Sequence, residues 1–179
     1  MTFLSIRKRS TPLNILAVVL VVFIIANLVF IWVNSAKVAS NSNKESKKLA
    51  ETIVKKTTKD YNSLPKAEQQ KKIKETNTKI RSIAHFAEFI PLGFLAFFLM
   101  LNLFFAKSRY KLIFKCILLS LIICILVALS DEIHQIFVKD RAFEVKDIFI
   151  DASGSLLGII FASFIYYIKT IINNKKCTL

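Results

Sequence analysis

Apolar positions along the chain gather into four long runs separated by polar stretches. The first, residues 13–33, reads LNILAVVLVVFIIANLVFIWV and carries no charge. The others are residues 83–106, 112–129 and 148–168. A helix needs roughly 20 apolar residues to cross a bilayer, and surface helices of soluble proteins carry a polar face that these runs lack. The pattern predicts an all-α integral membrane bundle of four transmembrane helices. Residues 1–12 form a basic flank ahead of it, and residues 173–179 a short tail behind.

Between residues 34 and 81 the pattern changes. ESKKLAETIVKKTTKDY holds few apolar sites (Leu49, Ile53, Val54), enough for a weakly amphipathic helix. SLPKAEQQKKIKETNTKIRS predicts another, with Ser63 as its cap and Pro65 in its first turn. Neither buries a core alone. The second membrane helix is expected to open with RSIAHFAEFIPLGF and to kink at Pro91, whose ring clashes with the preceding turn and removes a donor. KSRYK makes a tight connector to the third helix, and residues 130–146 connect the third to the fourth.

Charge sharpens this reading. The net charge of +14 comes from 26 Lys and Arg against 12 acids. Thirteen of the basic residues and only five acids lie between Lys37 and Arg81. No aromatic interleaving or nucleic-acid-binding motif accompanies them, so nucleic acid is not an expected partner. An anionic lipid surface or an anionic envelope polymer is the expected one. A solvated Lys-rich segment that binds nothing fits the same composition. Cys116 and Cys124 inside the third run, and Cys177 near the end, suggest no disulfide framework. The start resembles a signal sequence, but its apolar run is too long and no small-x-small site follows, so an uncleaved first helix is expected.

Orientation follows from basic residues in short loops. Arg7, Lys8, Arg9, Lys107, Arg109, Lys111, Lys169, Lys175 and Lys176 fall on one side, which puts both termini in the cytoplasm. The basic segment then lies outside, against the same rule.

Four alternating spans bring the start of helix two, the end of helix three and the start of helix four to one face. That face receives His85, Glu88, Asp131, Glu132, His134, Gln135, Arg141, Asp147 and Asp151. His85 and Glu88 are three apart and share a helical face, as do Asp131, His134 and Gln135 if helix three continues past Leu129. Asp151 follows Asp147 by one turn, roughly 6 Å deeper. A carboxylate at that depth is costly without a partner or water. Arg141, with its two-pronged guanidinium, is the natural partner. Below Asp151, Gly154, Gly158 and Ala162 make a small-residue stripe for close helix packing.

Several readings of the cluster stay open: an ion-pair network joining helix ends, a polar pocket for a ligand headgroup, or a metal site built from His85, Glu88, His134 and a carboxylate. The HxxE spacing is no complete metal motif, and no cofactor is expected from the sequence.

At these residues the chain resembles the VanZ-like family of bacterial membrane proteins. The matching stretches are RSIAHFAEFIPLG, SDEIHQIFVKDR and KDIFIDASGSLLG, within about Arg81 to Ile160. FIWVNSAKVASNS agrees more loosely with the Ser-rich exit of the family's first span. By position, the resemblance implies motif roles for His85, Glu88, Asp131, Glu132, Gln135, Arg141, Asp147, Asp151 and Gly154. Asp140 stands where the family often has Gly, and Phe89 where Tyr is common. The resemblance implies a bacterial cytoplasmic-membrane protein linked to low-level teicoplanin resistance, and the Lys-rich composition suits a Gram-positive source.

Two functions are thus expected to compete. In one, an outward polar pocket roofed by the basic segment binds membrane lipid, a lipid-linked wall precursor or a lipoglycopeptide. In the other, a membrane-embedded, metal-assisted enzyme acts on a lipid-linked substrate. A pure assembly partner is a blander third. A transporter is disfavoured, because four spans show no inverted repeat.

Overall fold

A computed structural model describes residues 5–6, 11–36, 39–105, 108–138 and 141–176. Among them are five α-helices: α1 (Thr11–Ser35), α2 (Ala39–Thr57), α3 (Lys66–Leu103), α4 (Arg109–Ile136) and α5 (Val145–Lys176). A single antiparallel pair, β1 (Ser5–Ile6) with β2 (Phe104–Phe105), leaves the architecture all-α. Arg7, Lys8, Arg9, Lys107, Asp140 and Cys177 lie outside the described residues.

Helices α1, α3, α4 and α5 are each long and apolar enough to cross a membrane. The chain is a multi-pass membrane protein. Apolar side chains point outward along α1, among them Val18, Val22, Phe23 and Val29, as a lipid-facing helix requires. On its inner side Ile31 is buried in one core cluster with Phe89, Leu92, Ala96, Cys124 and Ala128. A second cluster joins Phe97, Met100, Leu112, Cys116, Ile159 and Ala162. Helix α3 packs against every other helix and forms the spine.

That spine corrects two expectations. The polar helix after Pro65 and the second membrane span are one continuous helix of 38 residues. At 1.5 Å per residue it runs about 57 Å, nearly twice the ~30 Å hydrocarbon thickness. Neither Gly nor Pro separates Pro65 from Pro91, so the drop in polarity near Arg81 marks where a helix enters the membrane and not where one ends. Pro91 lies inside α3 without terminating it. Ser63 is no helix cap: its hydroxyl donates to the Asp60 carbonyl at 2.7 Å within the short turn Tyr61–Ser63, and Pro65 holds the N-cap position. Helix α2 folds back on the protruding half of α3, burying Ala50 and Val54 against Ile73, with Tyr61 and Ile80 alongside.

Helices α3 and α5 approach most closely. A Cβ placed on Gly154 would run into the Phe86 carbonyl, and one on Gly158 into that of Ile90. Gly93 on α3 meets the Ser155 backbone in the same way. All three glycines of the chain therefore sit at this one crossing, and Ala162 is fully buried beyond them. With no side chain between them the backbones touch, and dispersion replaces the hydrophobic effect that lipid cannot supply.

Candidate functional site

Just above the glycine contacts, the stretch of α3 carrying His85 and Glu88 meets the last turns of α4 and the first turns of α5. Helix α4 runs on through Gln135, so Asp131, Glu132 and Gln135 all lie on its inner face. Asp131, Glu132 and Asp151 are fully buried, and Gln135 and Asp147 nearly so. Such depth demands partners, because an unpaired buried charge is strongly destabilising.

The partners divide the site into two layers. In the inner layer His85 Nδ1 stands 3.6 Å from Asp151 Oδ1, long for a hydrogen bond. Asp131 lies beside them, so that one donor atom from each of His85, Asp131 and Asp151 falls within 4.8 Å of the others. Ser35 Oγ and Gln135 Nε2 both donate to Asp131 Oδ2, at 3.1 and 3.0 Å. Asp131 Oδ1 and both oxygens of Asp151 accept no hydrogen bond.

The outer layer is built around a cavity of about 340 Å³ lined by Arg81, Gln135, Arg141, Ala142 and Glu144. Arg141 Nη1 donates to Gln135 Oε1 at 3.4 Å, and its buried Nε has no hydrogen-bond partner. Burial, and after it the positive charge of Arg81, holds the Arg141 guanidinium below its ordinary pKa. Glu132 fixes the loop under this cavity. Its Oε2 accepts the Glu144 backbone N–H at 2.8 Å and its Oε1 the Gln135 amide at 3.1 Å. Gln135 thus joins the layers, with its amide nitrogen on the carboxylates and its oxygen on the arginine.

The expected Arg141–Asp151 pair does not form. Asp151 lies a turn too deep, on α5, where His85 of α3 reaches it first, while Arg141 turns outward to Gln135. His134, expected near His85, instead stacks on Trp32 of α1, ring centroids 6.0 Å apart and planes 19° from parallel. Glu88 accepts from Asn34 Nδ2 at 2.9 Å. Of the residues expected to ligate metal together, His85 joins such a group while Glu88 and His134 are occupied elsewhere. Asp147 sits in the first turn of α5, where a carboxylate favours the helix dipole.

Helix α1 supplies what sequence reasoning missed. Asn27, Ile31, Asn34 and Ser35 form one stripe; Ile31 and Ser35 are buried, and Asn27 Nδ2 donates to the Glu88 carbonyl at 3.5 Å. The signal was present as Asn27 and Asn34, seven apart at the end of the first apolar run, a spacing that puts them on one face.

A family model described as VanZ/LLP1 matches residues 16–166, which include every residue of both layers. The chain belongs to the VanZ/LLP1 family. The match begins within α1, so the asparagine stripe and the α2 hairpin lie inside the VanZ/LLP1 region along with the three motif stretches. No curated protein and no solved structure matches the chain.

Proposed function

We propose that this VanZ/LLP1 protein binds an anionic, phosphate-bearing headgroup in the outer cavity. The headgroup belongs to a membrane lipid or a lipid-linked wall precursor, and the protein works in the bacterial cytoplasmic membrane with both termini inside. One observation carries the reading. Arg81 and Arg141 line one cavity and repel each other, and no ion pair within 4 Å is described for either. Two guanidinium groups converging on a space of headgroup size are a phosphate receptor, because each offers paired donors to phosphate oxygens. The α2–α3 hairpin adds lysines beside it: Lys47 and Lys74 line a neighbouring cleft together with Arg81. Anionic lipid attracts such a surface by about 1 kcal/mol per basic residue.

The family resemblance extends the proposal to envelope homeostasis and low-level teicoplanin resistance, with the bound headgroup shielded from, or shared with, the lipoglycopeptide. The test is Arg141→Ala. Purified in detergent, wild-type protein should retain phosphatidylglycerol over phosphatidylcholine. The variant should lose that preference by about tenfold or more, as befits loss of a charge-assisted contact, while accumulating normally in the membrane. If the host shows a teicoplanin phenotype, the variant should abolish it. A variant that disappears from the membrane would make the cluster a structural network and end the proposal.

A further inference from the structure

The inner layer has a different chemistry, independent of the headgroup reading. We propose that His85, Asp131 and Asp151 form a site for one divalent cation that accepts both imidazole nitrogen and carboxylate oxygen, of the Zn²⁺ or Mn²⁺ type.

Three observations converge on it. The three side chains come from three helices and bring one donor atom each within 4.8 Å of the others. Donors around an ion at about 2.1 Å stand roughly 3 to 4 Å apart, so a side-chain adjustment of under an ångström closes the set. Next, three buried carboxylate oxygens accept no hydrogen bond: Asp131 Oδ1, Asp151 Oδ1, which has His85 Nδ1 at 3.6 Å, and Asp151 Oδ2. Among the described residues no lysine or arginine forms an ion pair with either aspartate. A divalent ion balances two carboxylates while the imidazole stays neutral, which a single histidine does not do.

The third observation is the way Asp131 is held. Ser35 from α1 and Gln135 from α4 both donate to Oδ2 and leave Oδ1 turned away from them. A carboxylate fixed by hydrogen bonds on one oxygen and free on the other is the usual arrangement of a ligand with its outer support. Imidazole favours zinc among the common divalent ions and carboxylate favours manganese, calcium and magnesium, so one nitrogen with two carboxylates selects zinc or manganese.

The test uses the full chain in lipid nanodiscs, stripped with chelator and then titrated. Mn²⁺ uptake is read by loss of the free-ion EPR signal, and Zn²⁺ uptake by calorimetry. The site predicts uptake of one ion per chain by the wild type. Asp131→Asn and Asp151→Asn should each weaken binding by at least about tenfold while the protein remains helical. The wild-type titration decides even where a variant fails to fold: no uptake of either ion at micromolar concentration overturns the site. Undiminished binding in both variants overturns it as well. So does loss of binding in His134→Ala with none in Asp131→Asn.

Discussion

One stripe on α5 has two halves of opposite character. Its lower half, Gly154, Gly158 and Ala162, has no side chain larger than a methyl and lies backbone to backbone on α3. Its upper half, Asp147 and Asp151, carries two carboxylates, and Asp151 faces the α3 histidine across 3.6 Å. The difference shows how a polar group survives in the membrane. The glycine half brings two helices so close that the side chains above them must meet. Packing therefore sets the geometry, and the charged half uses it.

The sharpest way to break this division is Gly158→Leu. Its first carbon would strike the Ile90 carbonyl, and overpacking against backbone costs about 3 kcal/mol or more. The variant should fail to accumulate, or should unfold well below the wild-type temperature in detergent, and lose both layers with the crossing. Next in size is Arg81→Ala, which touches the outer cavity and the neighbouring cleft but not the inner layer. Anionic-lipid binding should fall by about 1.5 kcal/mol or more, read by native mass spectrometry, with the thermal midpoint unchanged. Asn34→Ala removes the hydrogen bond from α1 to the Glu88 carboxylate and should destabilise the bundle by about 1 kcal/mol, measured by thermal melting. Smallest of all is Asp151→Asn in the presence of chelator. Asparagine removes the cost of burying a charge and forfeits only the long 3.6 Å approach to His85, since neither Asp151 oxygen accepts a hydrogen bond, so its melting temperature should match or slightly exceed that of the wild type. A large drop there would mean that Asp151 belongs to the packing half after all.

Much of this was legible before any coordinates. The four spans follow from apolar run length, and their alternation brings the motif residues to one face. Two limits are instructive. Polarity reports the medium around a helix and not the helix itself, so the entry of α3 into the membrane read as a boundary between two helices. Side-chain partners depend on depth and rotation, which spacing along one helix does not fix. Arg141 and Asp151 share a face of the bundle yet lie in different layers, and His134 turns to Trp32 although it is three residues from Asp131. The contribution of Asn34 and Ser35 needed the packing of α1 against α3 and α4, a contact between segments far apart in sequence.

The most direct trial of the account is headgroup retention per folded molecule in the double variant Arg81→Ala, Arg141→Ala. It should accumulate in the membrane and melt like the wild type, yet hold phosphatidylglycerol no better than phosphatidylcholine. A double variant that keeps wild-type lipid selectivity, or one that no longer folds, would contradict it.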